Sequence, residues 1–295
     1  MTLSRTDITR ILEEHGLSPR RAFGQNFVAD PNTVRRIARL AGVGPGDLVI
    51  EIGAGLGSLT LALAETGADV IAIEIDHGIV PVLRTVVSSS PNVTVIEGDA
   101  MTLDWAQLIP VDRTATVVAN LPYNIATPLI ADLLDSMPRI ERYVVMVQKE
   151  VAQRLAAAPR TNDYGAVSVK VAYWAHAKLL GDVPPSVFIP RPKVTSSIIE
   201  IARRLEPADH SENRDVPAVE LFAVVRKAFG QRRKMLRRSL SDITSPEIFD
   251  RAHISPEARP EELDVAQWIR LTRQIILSRQ NEVPEDTKYS RNASS

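Results

Sequence analysis

The four residues Asn120-Leu121-Pro122-Tyr123 follow an apolar run, Thr116-Val117-Val118-Ala119, that reads as a strand. An amide, a rigid proline and an aromatic ring at the tip of a buried strand form a small chemical device. The Asn120 side-chain oxygen, with a backbone carbonyl near Leu121, can accept hydrogen bonds from an exocyclic amine. Pro122 restricts the backbone, and Tyr123 offers a face on which an extruded base can stack. Such an amine is a poor nucleophile, because its lone pair is delocalised into the ring. Two acceptors on its hydrogens draw the nitrogen toward tetrahedral geometry, so positioning and electrostatics supply the rate. Taken alone, the tetrapeptide reads equally as a simple turn with Tyr123 in the core.

A second group lies upstream, where Glu51-Ile52-Gly53-Ala54-Gly55-Leu56-Gly57 passes from a strand into a helix. Glycines there let a ligand approach the backbone. The spacing departs from the dinucleotide fingerprint, because Gly57 comes one position early and Ser58 fills the fingerprint position. The acidic Glu51 suits a cationic ligand better than a pyrophosphate. Glu74 ends the next strand, where a carboxylate can accept from ribose hydroxyls, and Asp99 follows the third, placed to accept from an adenine amine. Each alone could be a solvated strand end. In register they point to S-adenosylmethionine, which carries an ammonium and a sulfonium and no phosphate, and they disfavour a nicotinamide oxidoreductase.

The elements that must position these groups alternate. Strands are expected at Leu48–Ile52, Val70–Glu74, Val93–Ile96, Val117–Ala119 and Tyr143–Val147. Helices are expected at Asp7–His15, from Asp30 as cap and Pro31 to a stop at Gly42, and at Gly57–Ala64, Ile79–Val87 and Glu150–Ala158. Continuous apolar strands alternating with helices imply an α/β fold, a mostly parallel sheet with helices on both faces. Val187-Phe188-Ile189 and Ser197–Ile201 read as closing strands. Residues 206–216 read as a linker. A small all-α domain is expected over 217–280, with helices at Val219–Ala228, Arg232–Leu240 and Pro260–Arg279, before a disordered tail, 281–295.

The 295 residues carry a net charge of −1, so nucleic-acid binding must rest on a local patch. Arg226, Lys227, Arg232, Arg233, Lys234, Arg237 and Arg238 supply one, without an intervening acid. The absence of cysteine excludes disulfides, thiolate metal sites and a cysteine nucleophile. The five histidines are scattered without metal spacing, and no metal is expected. No apolar run reaches the roughly 18 residues of a membrane span, and the N-terminus lacks a secretory pattern, so a cytoplasmic monomer is expected.

With these residues in view, the chain resembles the ribosomal RNA adenine dimethyltransferases, more narrowly the small-subunit branch. The motifs are Gly24-Gln25-Asn26-Phe27, Glu51 to Gly57, Glu74, Gly98-Asp99-Ala100, Asn120 to Tyr123, Val183 to Phe188 and Pro190-Arg191-Pro192-Lys193-Val194-Thr195-Ser196. The resemblance implies a Rossmann-like class I methyltransferase domain over 1–205, with a helical N-terminal extension to about residue 45. It implies S-adenosylmethionine bound by Asn26, Val28, Gly53, Ala54, Gly55, Glu74, Ile75, Asp99, Ala100 and Asn120. Asn120, Leu121, Pro122 and Tyr123 would be catalytic, with Phe188 as a second stacking wall. Arg191, Lys193 and the basic run would hold RNA. Val28, where leucine is usual, and Ala54, where proline is common, remove no functional group. The implied reaction is dimethylation of two adjacent adenosines in a hairpin loop near the 3′ end of small-subunit RNA, on a late assembly particle. Two alternatives stand beside it: a large-subunit adenine methyltransferase that confers antibiotic resistance, and a non-catalytic nucleic-acid-binding factor on the same fold.

Overall fold

The computed structural model describes residues 2–20, 24–208 and 215–281. Phe23, the middle of the expected linker (209–214) and the tail from 282 onward lie outside the described residues. By its contacts the chain divides into two units, Met1–Ala156 with Trp174–Leu205, and Ala157–Tyr173 with Glu206–Ser295. The segment 157–173, expected within the larger domain, therefore groups with the helical one.

The first unit opens with α1 (Arg5–Glu14), the short β1 (Phe27–Val28) and α2 (Pro31–Ala41). Asp30 caps α2 by accepting from the Asn32 and Thr33 amides, and Gly42 closes it in a left-handed conformation. The alternation then runs β2 (Leu48–Ile52), α3 (Ser58–Ala64), β3 (Asp69–Glu74), α4 (Val80–Val86), β4 (Val93–Glu97), α5 (Trp105–Leu108), β5 (Ala115–Asn120), α6 (Ala126–Ser136), β6 (Ile140–Gln148) and α7 (Lys149–Leu155). After α8 (Ala166–Trp174) come β7 (Ala175–Val183), a 3-10 turn at Pro185–Val187, β8 (Phe188–Ile189) and β9 (Ser196–Arg203).

Seven strands form one sheet in the order β4-β3-β2-β5-β6-β9-β7. The pairs β4-β3, β3-β2, β2-β5 and β5-β6 are parallel, whereas β9 runs antiparallel to both β6 and β7. One face packs Val49, Val118, Val144, Met146 and Ile198 against Val34, Ile37 and Leu63 of α2 and α3. The alternate residues Ile50, Val117, Tyr143 and Val145 are buried as well. Burial on both faces is why these strands read as unbroken apolar runs. Val187-Phe188-Ile189 does not close the large sheet: Val187 ends the turn, and Phe188 and Ile189 pair with Val28 and Phe27 in a separate antiparallel ribbon.

The second unit holds most of α8, then α9 (Ala218–Phe229), α10 (Leu236–Ser239), α11 (Pro246–Ala252) and α12 (Val265–Asn281). Its core gathers Leu221, Val225, Phe249, Trp268 and Leu271, with the Phe229 ring edge-on to Tyr164 and tilted against Trp268. No continuous helix covers 232–240. The chain turns at 231–234, and the Leu236 and Arg237 amides donate to the carbonyls of Ala258 and Pro256, outside any helix. The expected helix from Pro260 is also divided. A 3-10 turn at Pro260–Glu262 gives way to Asp264, which caps α12 through a reciprocal pair with Gln267.

Candidate active site

The carboxyl ends of β2, β3 and β5 meet the loop before β1 around two adjoining hollows. The first is lined by residues that include Asn26, Val28, Glu51, Gly53, Ala54, Gly55, Glu74, Ile75 and Asn120. The second is lined by Gly98, Asp99, Ala100, Met101, Asn124 and Ile125 among others, and Gly53, Ile75 and Pro122 border both. All the expected cofactor residues thus lie on one crevice, outside the strand ends of an open sheet.

Positive φ angles at Gly53 (71°) and Gly55 (56°) turn the chain out of β2. A Cβ at Gly55 would stand 3.0 Å from the Phe27 ring, and one at Gly53 3.4 Å from the Pro122 ring. The glycines therefore admit the close approach of Phe27 and Pro122. Glu74 is 4% exposed and accepts from the amides of Gly55 (2.7 Å), Ile75 (3.0 Å) and Asp76 (2.9 Å). Burial raises its pKa, and these three donors pull the other way. With three donors on two oxygens, room for further acceptance is narrow. Among the described residues Asp99 accepts from the Met101 amide through one oxygen only.

Glu51, at 2% exposure, receives the Thr60 hydroxyl at 2.5 Å. Burial pushes its pKa up to about 8, and the nearby Glu74 charge adds to the rise. It lines the crevice although only its acidic character singled it out in the sequence. The loop over the crevice is pinned from below. Gln25 Nε2 donates to Asp76 at 2.9 Å, and Gln25 Oε1 accepts from the Arg20 amide at 2.7 Å. Asp76 was invisible as a site residue, because its role is to anchor a loop far away in sequence.

Asn120 ends β5, and its Nδ2 donates to the Asn26 carbonyl at 2.9 Å. Among the described residues nothing donates to Asn120 Oδ1 or to the Leu121 carbonyl. The Pro122 carbonyl is occupied, accepting from Ile125 and Ala126 as α6 begins. Two adjacent oxygens at the strand tip are thus left as acceptors. Tyr123 is partly buried, with its hydroxyl 2.9 Å from Ser196 Oγ, and burial raises its pKa. Phe188 departs from expectation. It is 1% exposed and packs with Val28, Val34 and Ile37 in the core, so its ring has no open face.

Arg191 and Lys193 are exposed and unpaired among the described residues. Within the second unit the basic run spans three settings. Arg226 and Lys227 end α9, Arg232 to Lys234 lie in the turn, and Arg237 and Arg238 sit on α10. Lys227, Arg232 and Arg237 pair with Asp242, Glu261 and Glu257. Arg226, Arg233, Lys234 and Arg238 are exposed and have no such partner among the described residues.

A parallel sheet with one reversed strand, a glycine turn and a polar tetrapeptide after β5 define the class, the Rossmann-like methyltransferases. The chain belongs to the ribosomal RNA adenine dimethylase family, whose model matches residues 16–277. It is 44% identical over 281 residues to "Ribosomal RNA small subunit methyltransferase A" of Cutibacterium acnes, covering 91% of this chain and 93% of that one. Among solved structures it resembles a dimethyladenosine transferase from Plasmodium falciparum (TM-score 0.68, 25% identity, 82% of this chain and 94% of that one). It also resembles the 23S rRNA methyltransferase ErmE (TM-score 0.63, 28% identity, 85% of this chain and 99% of that one).

Proposed function

We propose that this chain transfers methyl groups from S-adenosylmethionine to N6 of two adjacent adenosines in the 3′-terminal hairpin loop of small-subunit ribosomal RNA. The observation that carries the chemistry is the pair of acceptors, Asn120 Oδ1 and the Leu121 carbonyl, that no described residue donates to, beside a crevice built at three strand ends. The small-subunit assignment draws on the relative of that name at 44% identity, against 28% for ErmE.

The residues fit the cofactor. The glycine turn leaves backbone open at Gly53 and Gly55, Glu74 would offer its remaining acceptor capacity to a ribose hydroxyl, and Asp99 would offer an oxygen to an amine. When bound, S-adenosylmethionine supplies an electrophilic methyl group on a positively charged sulfur. The chain supplies orientation. Asn120 and Leu121 accept the two amine hydrogens, and Tyr123 supports the base by stacking. No general base is required before attack, because the amine becomes strongly acidic as it gains the methyl group. Phe188 is left out of this scheme, since its ring is closed in the core.

The RNA is held through phosphates by exposed basic side chains, Arg191 and Lys193 on one unit and the run from Arg226 to Arg238 on the other. The reading carries a cytoplasmic setting and a pre-small-subunit particle as partner. Among the described residues no helix is long and apolar enough to cross a membrane, and no group of acids and histidines could hold a metal. The likeness to ErmE keeps a large-subunit substrate as the competing reading. Primer extension on small- and large-subunit RNA after incubation with protein and cofactor separates them. Stops confined to the small-subunit 3′ hairpin support the proposal; stops on the large-subunit RNA alone overturn it.

A further inference from the structure

We propose that Ser196 is a positioning residue that fixes the Tyr123 ring before RNA arrives. The inference rests on the stacking role given to Tyr123 above. Ser196 is 0% exposed and begins β9, registered against Gln148 of β6 on one side and Val183 of β7 on the other. A residue paired on both sides has little freedom. Its flanks are tied too: the Thr195 carbonyl accepts from the Lys149 amide at 3.0 Å, and Ser197 Oγ donates to Asp182 at 2.6 Å.

Tyr123 lies just past β5, and β6 stands between β5 and β9. The contact of 2.9 Å between the two hydroxyls therefore carries the phenol across the end of β6. The other end of the side chain is fixed as well, because the Pro122 carbonyl holds the first turn of α6. A ring held at both ends surrenders its rotamer freedom before binding, so less ordering is left for the encounter with RNA. A partly buried tyrosine could hydrate its hydroxyl. Here it meets a buried serine paired on both sides instead, and that partner sets the plane in which a base can stack.

The test uses the full chain, undermodified small-subunit particles and S-adenosylmethionine, with Ser196→Ala, Tyr123→Phe, the double variant and Tyr123→Ala. One hydrogen bond corresponds to a loss of about five- to tenfold. Ser196→Ala and Tyr123→Phe should each lower kcat/KM for RNA by about that factor, and the double variant should be no worse than either. The cofactor Kd, read by equilibrium dialysis, should be unchanged. Tyr123→Phe leaves β9 intact, so its defect separates positioning from a folding effect of the serine change. Wild-type kcat/KM in Ser196→Ala or Tyr123→Phe, or additive losses in the double variant, overturns the inference. If Tyr123→Ala is impaired in that case, the stacking role survives without it. Full turnover by Tyr123→Ala overturns both.

Discussion

At the scale of single residues, Asn120 and Glu51 carry opposite demands. Asn120 spends its donor on Asn26 and keeps its oxygen for the amine. Asn120→Ala should lower kcat by about 10²- to 10³-fold, in the range found for a lost transition-state contact, with RNA affinity nearly unchanged in a filter-binding assay. Burial holds the Glu51 carboxyl above the usual carboxylate range. Its ordinary value of 4.5 rises to about 8 in the folded protein, so between those values the native state holds a proton that the unfolded chain releases. That contribution to stability is present below the lower value and fades as pH climbs to the upper one. Melting curves should show wild type losing stability relative to Glu51→Gln as pH rises through this window; parallel curves would contradict the assignment. Asn120 was legible because amide, proline and tyrosine stand together after an apolar run. Asp76 and Ser196 were not, since each acts on a partner brought near only by the fold.

At the scale of elements, the loop from Gly24 to Val28 closes the crevice and depends on packing against the glycine turn. Gly55→Ala would force a side chain into a positive φ and against the Phe27 ring. Cofactor affinity should fall at least about tenfold, with a lowered melting temperature, by calorimetry. Gln25→Ala removes the side-chain ties to Asp76 and to the Arg20 amide without forcing a backbone change, so it should weaken cofactor binding with a smaller effect on melting. The parallel strands were plain in the sequence, because burial on both faces leaves unbroken apolar runs. Strand β7 was not: several of its residues, such as His176 and Lys178, are exposed and interrupt the pattern. Of the helix expected over Arg232–Leu240 only α10 (Leu236–Ser239) forms, because the tertiary bonds from Leu236 and Arg237 to Ala258 and Pro256 have no local signal.

At the scale of the whole molecule, a net charge of −1 gives no general attraction to RNA. Affinity must come from the cations that no carboxylate already neutralises. Among the described residues of the second unit, Arg226, Arg233, Lys234 and Arg238 are in that position; Lys227, Arg232 and Arg237 are paired. Replacing any one of the four with alanine should reduce the slope of log K against log salt by about 0.7 to 0.9, while Lys227→Ala should change it less. Equal slopes for all these variants would remove the distinction. The family match spans residues 16–277, so it covers both the crevice and the basic run of the helical unit. The central claim is that a base is methylated at its amino nitrogen between Asn120 and the cofactor. Mass spectrometry of nucleosides from undermodified small-subunit particles, incubated with S-adenosylmethionine and either wild type or Asn120→Ala, measures it most directly. N6,N6-dimethyladenosine should form at two adjacent positions with wild type and be nearly absent with the variant. No dimethyladenosine from wild type, or equal amounts from both proteins, would contradict the account.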